Sequence, residues 1–310
     1  MRSITLRALV VGGGGGATDD NRPRNPGSGG GQVQDVNTLR FVAGTYTVTV
    51  GAGGGNNLPG GYSEIAGVLR SIGGGASKGI GSIPGGDGAN GGGCTTSTGI
   101  PGRSLVGGYN GGAGNNSSTT GNAGGGAGAG GDGTSGAGGG GGGPGLNSDI
   151  TDVSTAYGAG SSSGPTGTAT ANTGNGGAVG GSGIVILRWN PTTLANAGFT
   201  ISFTGGSTTT GLTGGDSIRT WTSSGSFTIA NRTDYTLSGN VTLNGSALSG
   251  ATVRVIRQSD NTTVDYATTD GSGNWSMQGV SPNEYYDCVV EYTTGGVYYN
   301  AKNQWHVAPV

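Results

Sequence analysis

Short runs of β-branched and aromatic residues interrupt a chain whose other positions are mostly small or polar. In the first 190 residues three such runs stand out, 6–11 (LRALVV), 41–50 (FVAGTYTVTV) and 184–189 (IVILRW), and their composition predicts strands. Residues 199–203 (FTISF) and 217–222 (SIRTWT) read as two hairpin-like strands, followed by 225–229 (GSFTI), and the alternation fits an antiparallel sheet. Further on, apolar alternation recurs at 235–243, 251–256, 263–269, 275–277, 286–292 and 297–300, with turn signals between that include Asn244-Gly245, Asp270-Gly271 and Gly295-Gly296. Six or seven short strands joined by glycine turns predict a β-sandwich.

Between the early strands lie tracts such as 136–143 (GAGGGGGG), in which neither a helix nor an ordinary strand has side chains to pack. The chain holds 76 Gly and 10 Pro in 310 residues, and 61 of those glycines precede residue 191. This step in composition divides the chain into residues 1–190, a glycine-rich β/polyglycine domain, 191–231, a short strand region completing or linking it, and 232–310, a β-sandwich module. Glycine gives up the most conformational freedom on ordering and buries nothing in return, so disorder is one expectation for the tracts. The ordered alternative is a helix of three residues per turn without internal hydrogen bonds, whose outward N–H and C=O groups pair with neighbouring segments. Strict Gly-X-Y periodicity is absent, which disfavours a collagen triple helix. The expected fold class is all-β: short strands with polyglycine II-like segments, a small β-hairpin region and a C-terminal immunoglobulin- or transthyretin-like sandwich.

Charged residues make up 10% of the chain and the formal net charge is -2, so no basic surface is available to neutralise phosphates and nucleic acid is not an expected partner. No apolar run approaches the ~18–20 residues of a membrane span, and no membrane insertion is expected. Cys94 and Cys288 lie far apart in segments of different composition and read as free thiols. The residues after Met1 lack a long apolar stretch, so no signal peptide is expected.

Four ordered elements, 9–16 (LVVGGGGG), 46–54 (YTVTVGAGG), 149–158 (DITDVSTAYG) and 181–188 (GSGIVILR), resemble the glycine-rich domain of tailed-bacteriophage tail fibres, adhesins and minor virion proteins. In that family a strand of the Thr-Ser-Ser-Gly-Ser-Phe-Thr type precedes the first glycine tract, whereas here the match, 222–229, follows the domain. The missing strand is therefore expected from 222–229, either of the same chain or of a neighbouring subunit in an intertwined oligomer. Residues 238–241 (SGNV), 248–253 (LSGATV) and 268–275 (TTDGSGNW) resemble the carboxypeptidase-regulatory-like, transthyretin-like sandwich, a non-catalytic spacer or adhesion module, over about 235–293. Segment 299–307 has no place in that pattern.

Candidate chemistry is sparse. Residues 10–16 (VVGGGGG) after an apolar strand suggest a dinucleotide site, but 17–31 (ATDDNRPRNPGSGGG) cannot form the helix that must follow. The chain's one histidine, His306, precludes a histidine-based metal cluster. Asp270, Ser272 and Asn274 copy half a calcium loop, yet Ser281 stands where its bidentate glutamate belongs, so a hairpin turn is expected. The pairs Asp149/Asp152 and Glu284/Asp287 could converge as glycosidase carboxylates, though nothing in their context selects them. No catalytic residue, metal or cofactor is expected. Tyr62, Tyr109, Asn110, Asn115, Asn116 and Tyr157 interrupt the glycine loops with rigid amphipathic or adaptable polar side chains, the composition of binding loops, and are the candidate receptor contacts; the tyrosines could equally cap small local cores.

The resemblance implies a non-enzymatic structural protein on the surface of a phage particle, tail or capsid, and the expected lack of a signal peptide suits release by host lysis. A tail-fibre or receptor-binding component is expected first, a capsid decoration or head-fibre protein next, and a bacterial surface adhesin third. The implied partners are other virion proteins, further copies of this chain in a homo-oligomer, with a trimer favoured, and a host cell-surface glycan or outer-membrane protein.

Overall fold

The computed structural model describes residues 3–17, 25–77, 84–95, 99–114, 123–135, 139–164, 167–232, 236–278, 280, 284–294 and 297–307; for 284, 294 and 297–307 it describes the backbone path. The chain is nearly all β. In order, the first elements are β1 (Ser3–Val11), β2 (Val33–Val42), β3 (Gly44–Thr49), β4 (Ser63–Ile65), β5 (Leu69–Ser71), β6 (Leu146–Ser148), β7 (Thr155–Tyr157), β8 (Ile184–Trp189), the helix α1 (Pro191–Asn196), β9 (Phe199–Thr204), β10 (Ser207–Thr210), β11 (Ser217–Trp221) and β12 (Gly225–Asn231). They build two antiparallel sheets, β10-β11-β8-β1-β2 and β5-β4-β3-β12-β9, with β6 and β7 as a separate pair.

Alternation decides what lies between the sheets. Along β1, Ile4, Leu6, Ala8 and Val10 join Val185, Leu187 and Trp189 of β8 in a core with Trp221, Phe199, Phe227 and Ile229. Tyr46 stacks on Phe227 with ring centroids 5.1 Å apart, and Phe41 meets Phe227 edge-on at 5.6 Å. Each such fully buried side chain contributes about 1.5–3 kcal/mol. Next to the glycine tracts the opposite faces of β1 and β8 are apolar as well, because Leu9, Val11, Ile184 and Ile186 pack under Ile150 and Tyr157 of the β6–β7 hairpin. A central strand covered on both faces reads as a continuous apolar run, which is why 6–11 and 184–189 were the plainest signals.

The strand sought by the resemblance comes from within the chain: β12 pairs with β3 on one side and with β9 on the other. The strands of 191–231 are shared between the two sheets: β11 pairs with β8 and β10, while β9 and β12 belong to the other. The run 41–50 likewise divides, its first residues ending β2 in one sheet and the rest forming β3 in the other. Asn190 caps α1 by accepting from Thr193 N, and Pro191 fits its first turn; this short helix was not expected.

The glycine tracts are ordered as lateral arrays of three-residue helices. Beyond β1, the amides of residues 12, 13 and 14 donate to Gln32, Gly61 and Gly181, and those of 15, 16 and 17 donate to Gly29, Leu58 and Ala178, over 2.8–3.2 Å. Each partner recurs after three residues and is itself three residues earlier, so the segment turns once per three residues against three antiparallel neighbours. Its carbonyls accept from Gly54, Gly74 and Ser77 on two segments running parallel, and from Gly177 at the start of the third antiparallel neighbour. Segment 124–127 is surrounded in the same way, donating to Cys94, Thr134, Ser161 and Gly91. Side chains have no room in these arrays: a Cβ on Gly14 would lie 1.9 Å from Asn175 O, and one on Gly13 2.1 Å from Ala52 O. Where a larger side chain does enter it serves the backbone, as buried Asn90 does by donating to Gly30 O at 2.9 Å and Gly31 O at 3.2 Å.

The remaining strands are β13 (Thr236–Asn240), β14 (Thr242–Leu243), β15 (Ser246–Ala247), β16 (Thr252–Arg257), β17 (Thr262–Thr268), β18 (Asn274–Gln278), β19 (Glu284–Thr294) and β20 (Val297–Val307). The sheet β17-β16-β19-β20 and the pair β13-β18 contribute to one sandwich-like core of Leu237, Val253, Val255, Trp275, Met277, Tyr286 and Cys288. Asn244-Gly245 is the tight turn between β14 and β15, with φ 52° and 81°. Asp270-Gly271 is a turn too, but it joins β17 to β18 of a different sheet and so closes no hairpin. Segment 299–307, unplaced by sequence, continues β20 along the full length of β19. Both cysteines are buried thiols outside any disulfide, and burial pushes the Cys288 thiol up to about 12.

Gly14→Ala must displace Asn175 and should destabilise by at least about 1–3 kcal/mol, whereas Gly44→Ala, with nothing within 4 Å of its Cβ, should change stability by less than about 0.5 kcal/mol. Urea unfolding of the two variants checks this.

Candidate functional site

Among the described residues, the candidate contacts Tyr62, Tyr109 and Tyr157 have different surroundings. Tyr157 is 5% exposed and sits in the core beneath the β6–β7 hairpin, where burial raises its phenol pKa, so it has no surface to offer a receptor. This corrects the receptor-contact expectation: β6 and β7 bend the 146–157 segment back over the first sheet and carry the tyrosine inward. Tyr62 is 40% exposed, with one ring face taken by the Arg70 guanidinium 3.8 Å from its centroid. Tyr109 is 40% exposed; its amide donates to Asn90 Oδ1, and it lines a groove of about 250 Å³ with Val33, Val106 and Ala129. Exposed Asn110 accepts from Ser104 N at 3.2 Å, and its own amide donates to Asp132 at 2.7 Å. Asn115 and Asn116 lie outside the described residues.

A denser constellation occupies the outer face of the first sheet. Odd positions of β1 and even positions of β8 face outward there, and at the end remote from the glycine tracts they place Arg7 and Arg188 beside the turn 149–154. Arg7 grips Asp35 of β2 with two bonds, Nε to Oδ1 at 2.9 Å and Nη2 to Oδ2 at 2.7 Å, and reaches Asp149 at 2.5 Å. Ser148 donates to the same Asp35 carboxylate at 2.6 Å. Arg188 donates to Asp216 at 2.8 Å, Asp152 at 2.6 Å and Ile150 O at 3.0 Å, while Thr213 N donates to Asp152 at 2.6 Å. Asn190 closes the set by donating to Asp216 and Gly214 O. Between these groups and exposed Thr5 and Thr193 lies an open cavity of about 550 Å³.

This geometry bears on the carboxylate pairs considered from sequence. Asp149 and Asp152 are drawn to separate arginines, and hydrogen bonding lowers both pKa values, Asp149 through Arg7 and Asp152 through the Thr213 amide and Arg188. A glycosidase acid needs the opposite shift. Asp287 is buried and accepts from Gln258 Nε2 at 2.6 Å, and the side chain of Glu284 lies outside the described residues. Asp270 Oδ1 accepts from the amides of Ser272 and Asn274, so that loop is locked by its own backbone. Among the described residues no group of three or more His, Cys, Asp or Glu could hold a metal ion.

The arginine constellation was missed by reading loops for binding residues. Its signal was an arginine inside each of the two most apolar runs, 6–11 and 184–189, in a chain with 10% charged residues. A charge at such a position requires partners, and the acidic 149–152 turn was the available source. Compared with protein-family models, with curated proteins and with solved structures, the chain matches none.

The sign of the pH dependence follows from the lowered carboxyls. Their folded pKa values lie below the ordinary 3.8, so their stabilisation is fully present above that value and is lost as pH falls through the folded values. Acid unfolding monitored by tryptophan fluorescence should therefore show a loss of stability below about pH 4 that is smaller in the Asp149→Asn, Asp152→Asn double variant.

Proposed function

We propose that this chain is a non-enzymatic structural protein on the surface of a tailed-phage particle, serving as a tail-fibre or receptor-binding component. The observation that carries the reading is the architecture of the glycine arrays. Strands β1 and β3 run directly into glycine helices, and other segments of the array return into β2 and β8, so a sandwich anchors a bundle held by main-chain hydrogen bonds. Such a bundle needs little side-chain core and leaves its connecting turns free to vary in sequence without disturbing the scaffold. Display of variable loops on a rigid support is what a particle must have to recognise a host surface.

The resemblance of residues 9–16, 46–54, 149–158 and 181–188 to phage glycine-rich domains supports the same reading, and the C-terminal sandwich-like unit suits a spacer or attachment module. Partners then include other virion proteins, further copies of the chain and a host surface molecule. Antibody-labelled electron microscopy of intact particles should place the protein at the distal tail. Label on the capsid shell would replace this reading with that of a decoration or head-fibre protein, and absence of label from purified particles would reject a virion role.

A further inference from the structure

We propose that the cavity on the outer face of the first sheet, between the Arg7 and Arg188 clusters, is a binding site for a neutral saccharide. The inference rests on the receptor-binding reading and gives it a ligand class.

The cavity measures about 550 Å³, within the ~300–1,000 Å³ typical of small-molecule sites. Its lining includes Leu6 and Trp189 and presents both kinds of hydrogen-bonding group: the guanidinium groups of Arg7 and Arg188, the Asn190 amide, carboxylates from Asp149, Asp152 and Asp216, and the hydroxyls of Thr5 and Thr193. A sugar hydroxyl is donor and acceptor at once, so it matches a wall of alternating donors and acceptors. The alternatives fit less well. A phosphate or other multiply charged anion would meet three carboxylates against two guanidiniums. A metal cation would compete with arginines that already occupy Asp149, Asp152 and Asp216, at 2.5, 2.6 and 2.8 Å.

Pre-organisation strengthens the argument. Asp35 holds Arg7 through two bonds, with Nη2 shared between Asp35 and Asp149, and Arg188 is fixed by four acceptors, so these groups need no reordering to meet a ligand. Asp149 has its side chain 74% exposed while Oδ1 accepts from Arg7.

The test uses the whole chain on an array printed with neutral and acidic bacterial surface oligosaccharides. Two variants narrow the cavity from opposite walls, Thr193→Trp on exposed α1 and Thr5→Tyr on β1, neither of whose hydroxyls holds the fold together. Neutral saccharides should be bound by the parent, and each variant should weaken binding at least about tenfold with an unchanged melting temperature. No neutral saccharide bound, preference for acidic ones, or binding that both variants leave intact overturns the proposal. Host-cell labelling by the purified protein separates the two levels: labelling that survives in both variants removes the saccharide site but keeps the receptor-binding role, whereas no labelling by the parent removes that role itself.

Discussion

Main-chain hydrogen bonds between segments without side chains hold the first half of this protein together, and they work because nothing larger than hydrogen stands between neighbouring backbones. Segment 12–17 sends successive amides to 29–32, 58–61 and 178–181, and its carbonyls receive amides from two more segments, through Gly54 and through Gly74 and Ser77, and one from Gly177. Each bond contributes only about 0.5–1.5 kcal/mol net, so ordering depends on a large number of them formed together. The space that a Cβ would need on Gly13 or Gly14 is already filled by a neighbour's carbonyl, which makes glycine a steric requirement there.

Such an array cannot set its own register, because one glycine is like the next. The sandwich supplies it. Pairing of β1 with β2 and β8 fixes where segments 12–17, 27–32 and 180–183 start, and pairing of β3 with β4 and β12 does so for 50–55 and 58–61. Asn90 and Ser28 add side-chain bonds to Gly30, Gly31 and Gly177 at points where chains could otherwise slip. The hairpin of β6 and β7 then leaves the array to cover the first sheet, pinned by Ile150 and Tyr157 below and by Arg7 and Arg188 above.

Much of this was legible in the residues. The runs 6–11 and 184–189 announced central strands because both faces are buried, and glycine content located the array. The three-residue helix followed from the absence of side chains. The sheet assignment of 41–50 was not legible, since the crossing at Ala43 lies inside a stretch of β-forming residues marked only by Gly44. Strands β4 to β7 are three residues each and owe their pairing to tertiary context. Tyr157 was misjudged for the same reason: in sequence it resembles a loop tyrosine, and only the fold-back of its hairpin buries it. The arginine clusters were readable in principle, as charges in apolar strands, but their acidic partners sit more than twenty residues away.

The order of the glycine arrays is tested most directly by amide hydrogen exchange on the assembled protein. Amides of residues 12–16, 29–32 and 124–127 should be protected to the same degree as those of β1 and β8, since array and sandwich unfold together. Exchange of those glycines at the rate of an unstructured peptide, with β1 and β8 still protected, would contradict the account.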